Sequence, residues 1–169
     1  MATYAVENTL GLMNQLSLLI DACKYLYLDS ITEPDEGGLR LVVKEAKAGG
    51  TPREEVLAAE AIPEVRAILS QSSAIEHGPG CKVFEIYWPN YIAYAVENES
   101  YALDHPDDIK STGRLFVEYS KSAYLEYLSK ASFASPDYPG AYKHWAVLCL
   151  DHIVNVAAIT EPRISANEA

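Results

Sequence analysis

Cations, sulfur and long apolar runs are all scarce in this chain. Lys and Arg number 13 against 24 Asp and Glu, for a formal charge of −11. That shortage argues against a protein that grips a nucleic-acid backbone, because such a protein must neutralise phosphates with Lys and Arg. Cysteine occurs only at Cys23, Cys81 and Cys149, an odd number, far apart and inside apolar segments. This is the pattern of buried, reduced thiols and not of a disulfide framework, and it places the chain in a reducing cytosol. The longest apolar stretch near the N-terminus, Leu16 to Leu28, is interrupted by Asp21 and Lys24, and no cationic segment with a small-residue cleavage site precedes it. It fits neither a membrane span nor a secretion signal. No GxGxxG or Walker pattern occurs, and Gly78, Gly80 and Gly113 are too isolated to cradle a phosphate.

What is present is enough for a globular core. A chain of 169 residues, 49% hydrophobic, fits one domain over its whole length. At that size roughly 70% of the unfolded surface is buried on folding, so neither metal nor disulfide is needed for stability, and no cofactor is expected. From Tyr4 to Leu28 apolar residues recur every three or four positions with no Pro, which predicts one long amphipathic helix at the N-terminus. Leu39 to Ala46 reads as a strand. Thr51-Pro52-Arg53-Glu54 has the spacing of a capping box, and Pro63 divides the helix it opens into two short ones. Residues 72–77 and 81–88 read as strands about a Gly-Pro-Gly turn, with Phe84, Ile86 and Trp88 on one face; Tyr91 to Val96 continues them as a meander. Arg114 to Tyr119 is a further strand, Ser120 the cap of a helix, and Trp145 to Leu150 and Ile153 to Ile159 a hairpin about Asp151-His152. Residues 160–169 look frayed. Strands in adjacent hairpins predict an α+β fold: an antiparallel sheet of about five or six strands with helices packed on one side.

Three stretches, Phe84 to Tyr101, Leu115 to Leu128 and Lys143 to Val156, resemble a group of small bacterial hypothetical proteins. The resemblance covers roughly the C-terminal half. It implies a self-contained domain and brings no activity or ligand with it.

The most distinctive electrostatic feature is an acidic run. Glu97, Glu99, Asp104, Asp107 and Asp108 fall within twelve residues that hold no Lys or Arg, beside Tyr94 and Tyr101. Clustered carboxylates repel and cost stability unless solvent, a cation or a basic partner offsets them. Aromatic anchors within a charged rim are the composition of protein interfaces, so these seven residues are the candidate partner-binding set. Asn98, Glu99 and Ser100 have the side chains to fix a turn locally. Tyrosine is abundant, 12 residues against three Phe and two Trp, and suits both half-buried positions and contact surfaces.

Three functions compete. The first is an acidic cytosolic binding protein of the immunity or antitoxin kind, neutralising a basic toxin enzyme by occlusion, with no nucleic acid, membrane or metal involved. The second is a small hydrolase-type enzyme using His144, Asp151 and His152, which requires those side chains to converge in one pocket. The third is an oligomeric structural protein using the Tyr4 to Leu28 helix as its interface.

Overall fold

A computed structural model describes residues 15–34, 36–50 and 54–168. The elements are helix α1 (15–22), strands β1 (Tyr25–Thr32) and β2 (Leu39–Gly50), helices α2 (Glu54–Ala59) and α3 (Pro63–Ser70), and strands β3 (Ala74–Glu76), β4 (Lys82–Trp88) and β5 (Tyr91–Asn98). A 3-10 turn (Glu99–Tyr101), β6 (Ile109–Thr112), β7 (Phe116–Lys121), α4 (Ala123–Ala131), β8 (Lys143–Leu148), β9 (His152–Ala158) and β10 (Arg163–Glu168) complete the order. All named strand pairs are antiparallel, and with the few helices this is an α+β chain dominated by sheet.

The strands form two five-stranded sheets where the sequence predicts one. The first runs β1-β2-β4-β10, with β3 on the far end of β2; the second runs β5-β9-β8-β7-β6. The meander of β4 and β5 does not form because both edges of β4 are taken, by β2 and β10. Pro89-Asn90 is instead a corner that sends β5 to the second sheet, where it pairs β9.

Alternation along the strands builds the core between the sheets. On the first sheet Leu39, Leu41 and Val43 of β2 lie opposite Trp88, Ile86 and Phe84 of β4, so the face expected for Phe84, Ile86 and Trp88 is the one observed. On the second, Trp145 and Val147 lie opposite Val156 and Val154. Trp88 joins the two, its ring 6.4 Å from those of both Phe116 and Trp145.

The long N-terminal helix is not what the described residues show. Helix ends at residue 22 and Tyr25–Thr32 is strand; residues 4–14 of the expected helix lie outside the described residues. Tyr, Leu, Ile and Thr in that segment favour a pleated, half-buried surface, and pairing with β2 overrides the helical spacing. The helix end is tied down from across the fold. Asp21 Oδ1 accepts the backbone N–H groups of Arg114, Leu115 and Phe116 at 2.9, 2.7 and 2.9 Å. In return the Arg114 guanidinium donates to the carbonyl of Asp21, which the ending helix leaves without an intrahelical donor, and to that of Cys23 just beyond it. Gly113, at φ 91°, makes this approach possible, since a Cβ there would sit 1.9 Å from the Phe116 carbonyl oxygen.

Two further expectations are corrected. The segment from Arg163 is not frayed: β10 pairs six residues with β4 and closes the first sheet. The cap of α4 is Ser122, whose side chain accepts from Leu125 N–H, while Ser120 donates to the Ile109 carbonyl. Pro63 separates α2 from α3 as expected; Thr51 and Pro52 of the capping box lie outside the described residues.

Candidate binding cleft

The outer face of the second sheet is polar and partly covered by α4. Tyr119 on β7 pairs with His144 on β8, and Asn155 on β9 pairs with Ala146 on one side and Ala95 on the other. The two alanines leave room for longer side chains two residues away to reach Asn155 along the diagonals. His144 and Glu97 occupy those diagonal positions.

A chain of hydrogen bonds results, and its direction follows from donor and acceptor chemistry. Asn155 Nδ2 donates to Glu97 Oε1 at 2.8 Å, so Asn155 Oδ1 is the atom facing His144 Nε2 at 2.9 Å. An amide oxygen only accepts, so Nε2 carries the proton and Nδ1 accepts from Ser122 Oγ–H at 2.9 Å. Ser122 Oγ in turn accepts from Leu125 N–H at 3.1 Å. Ser122, His144 and Asn155 are all buried, and every polar side-chain atom in the chain from Ser122 to Asn155 has a partner, which is the condition for burying such groups without large cost. Burial pushes His144 down to about 4, against an opposing pull from the Asn155 hydrogen bond and the Asp108 carboxylate, so the imidazole is neutral at pH 7.

Beside this chain opens a cleft of about 1070 Å³ whose wall includes His144, Asn155, Tyr119 and Tyr124. Glu97, Glu99, Asp104 and Asp108 line it too, against two ammonium groups, Lys24 and Lys110. Tyr101 and Leu103 stand at its edge 88% and 86% exposed. Asn98 shapes this rim by accepting Ser100 N–H at 3.0 Å, the local turn expected of it. Asp108 Oδ1 accepts Ala123 N–H at 2.7 Å and so helps open α4.

Five of the seven residues singled out from the sequence therefore meet at one cleft: Glu97, Glu99, Tyr101, Asp104 and Asp108. Two do not. Tyr94 is an odd number of residues from Glu97 and points to the opposite face of β5, where its ring meets Tyr91 edge-on at 5.7 Å. Asp107 is outside the cleft lining. Among the described residues none of Glu97, Glu99, Asp104, Asp107 and Asp108 forms an ion pair with Lys or Arg; Asp108 has His105 at 3.8 Å. The sequence reading missed Ser122, Asn155, Tyr119 and Tyr124 as parts of the site. A signal for one of them exists: Asn155 interrupts an otherwise apolar strand, IVNVAA.

The structure does not bring His144, Asp151 and His152 together. Asp151 sits in the β8–β9 turn and His152 opens β9, 3.0 Å from it, while His144 lies level with Ala157. The five-residue offset along β9 amounts to about 16 Å. An acid-base site made of those three side chains together is therefore not assembled in this structure. The helix over residues 4–28 expected as an assembly surface does not extend to its C-terminal end, since 25–28 belong to β1. The three cysteines are free and buried, and burial pushes Cys149 up to about 12 and Cys23 up to about 11, which makes both poor nucleophiles. Among the described residues no group of three or more His, Cys, Asp or Glu is placed to hold a metal ion, and no helix is long and apolar enough to cross a membrane.

No protein-family model, curated protein or solved structure matches this chain.

Proposed function

We propose that this is an acidic binding protein that receives a cationic protein partner in the cleft on its second sheet, as an immunity or antitoxin protein in the cytosol covers a basic toxin enzyme. The observation that carries this reading is the union, at one concavity, of carboxylates that have no Lys or Arg ion-pair partner among the described residues with two apolar side chains, Tyr101 and Leu103, that are almost fully exposed. Carboxylates left unpaired in a folded chain repel one another, and a basic partner would relieve that repulsion. Exposed Tyr and Leu at the rim would supply the apolar area that a charged patch alone lacks. The overall charge of −11 would steer such a partner, raising the association rate tenfold to a thousandfold at low salt.

A fluorescently labelled hexa-arginine peptide titrated by anisotropy tests the reading. Binding that weakens by at least tenfold between 50 and 300 mM salt, and that Glu99→Lys with Asp104→Lys abolishes, is the expected result. Undetectable binding at 50 mM salt, or binding indifferent to the two charge reversals, would overturn it.

A further inference from the structure

The floor of the cleft has a different character from its rim. The Tyr119 ring lies flat on the His144 imidazole, centroids 4.7 Å apart and planes 12° from parallel, and the Tyr124 ring leans on the same imidazole at 5.0 Å and 52°. All three rings line the cavity. They are also neutral at pH 7: burial raises the Tyr119 hydroxyl and pushes Tyr124 up to about 12, helped by the nearby carboxylates of Asp108, Asp104 and Glu97 for the first and by Tyr127 and then Glu97 for the second. His144 adds no charge of its own for the reason given above.

Against these rings stand two carboxylates that are held but not used up. Glu97 engages Asn155 through Oε1, and Asp108 engages Ala123 N–H through Oδ1. A carboxylate has about four lone-pair sites, so each retains acceptor capacity toward the cleft. An aromatic face left open to the cleft attracts a cation, and a carboxylate accepts the two parallel N–H bonds of a guanidinium; a planar guanidinium satisfies both at once where an ammonium is a point charge.

We propose that Tyr119, Tyr124 and Glu97, the two rings held in place by packing on the buried His144, form a box for one guanidinium group, an arginine side chain of the partner. The proposal rests on the cationic-partner reading above and narrows it to one anchor. Asn155 is a positioning residue here: it aims Glu97 and is itself fixed by His144 and Ser122. Arginine-dense surfaces would then be favoured over lysine-rich ones of equal charge, because only the guanidinium stacks.

The test uses small probes on the full chain, followed by NMR of the Tyr ring protons. Nα-acetyl-arginine amide is expected to shift the Tyr119 and Tyr124 resonances in a saturable way. Nα-acetyl-lysine amide should bind at least threefold more weakly, and the neutral isostere Nα-acetyl-citrulline amide not at all. Glu97→Gln, which keeps size and the Asn155 contact, should weaken the arginine probe at least tenfold. Equal binding of the citrulline probe, or an unchanged affinity in Glu97→Gln, would overturn the box. Hexa-arginine that binds Glu97→Gln as it binds the parent, yet loses Glu99→Lys with Asp104→Lys, would refute the box while leaving the cationic-partner reading standing. Loss of hexa-arginine binding in every form of the chain would remove both.

Discussion

On β8 and β9, residues that alternate along the strand meet opposite environments. Trp145, Val147, Val154 and Val156 enter the core between the sheets, while His144 and Asn155 enter a polar layer beneath α4. Both faces are dry where these side chains sit, but they are stabilised differently. The inner face depends on close packing, which any volume change disturbs. The outer face depends on a complete hydrogen-bond sequence, in which one lost partner strands another buried polar atom. The contrast teaches that the two faces of one sheet can both be buried and yet be held by different forces.

The sharpest way to separate the faces is to empty one of them. Trp88→Ala removes the ring that links the sheets, and the expected loss is about 3–5 kcal/mol in urea denaturation, with cleft binding unchanged in the fraction that remains folded.

The outer face should respond to acid in a way the inner face cannot. His144 titrates at about 4 in the fold against an ordinary 6.5. Above 6.5 the imidazole is neutral in both states and contributes no slope. Between 6.5 and 4 the unfolded chain binds a proton that the folded chain refuses, so stability falls with pH; below 4 the effect levels off. At about 1.4 kcal/mol per pH unit, lowering the pH from 7 to 5 should cost about 2 kcal/mol through this residue. His144→Gln lacks that contribution, so its deficit relative to the parent should narrow by about that amount at pH 5, read from paired denaturation curves.

Smaller effects follow toward the surface. Ser122→Ala removes the α4 cap and the donor to His144 Nδ1, for an expected loss of about 1–2 kcal/mol in the same assay. Glu99→Gln, on the open rim, should change stability by less than about 0.5 kcal/mol while weakening capture of hexa-arginine severalfold.

The inner face was readable from the chain because alternation of Phe84, Ile86 and Trp88, and of Trp145 with Val147, is a local signal. The acidic rim was readable for the same reason: Glu97 to Asp108 are neighbours in sequence. The pairing of β4 with β10 and the division into two sheets were not, since nothing near Trp88 records that a strand eighty residues away will occupy its edge. The polar chain was hidden likewise. Ser122, His144 and Asn155 come from a helix cap and two strands, and only the register that sets Asn155 between Ala95 and Ala146 brings them into reach. The helical spacing at Tyr25 to Leu28 misled because a strand partner outweighs intrinsic preference.

Hydrogen–deuterium exchange of the protein with and without hexa-arginine tests the central claim most directly. Slower exchange confined to residues 97–110 and 119–125, with the first sheet unaffected, is the result the cleft predicts. Slower exchange centred on β1, β2, β4 or β10, or none at saturating peptide, would contradict it.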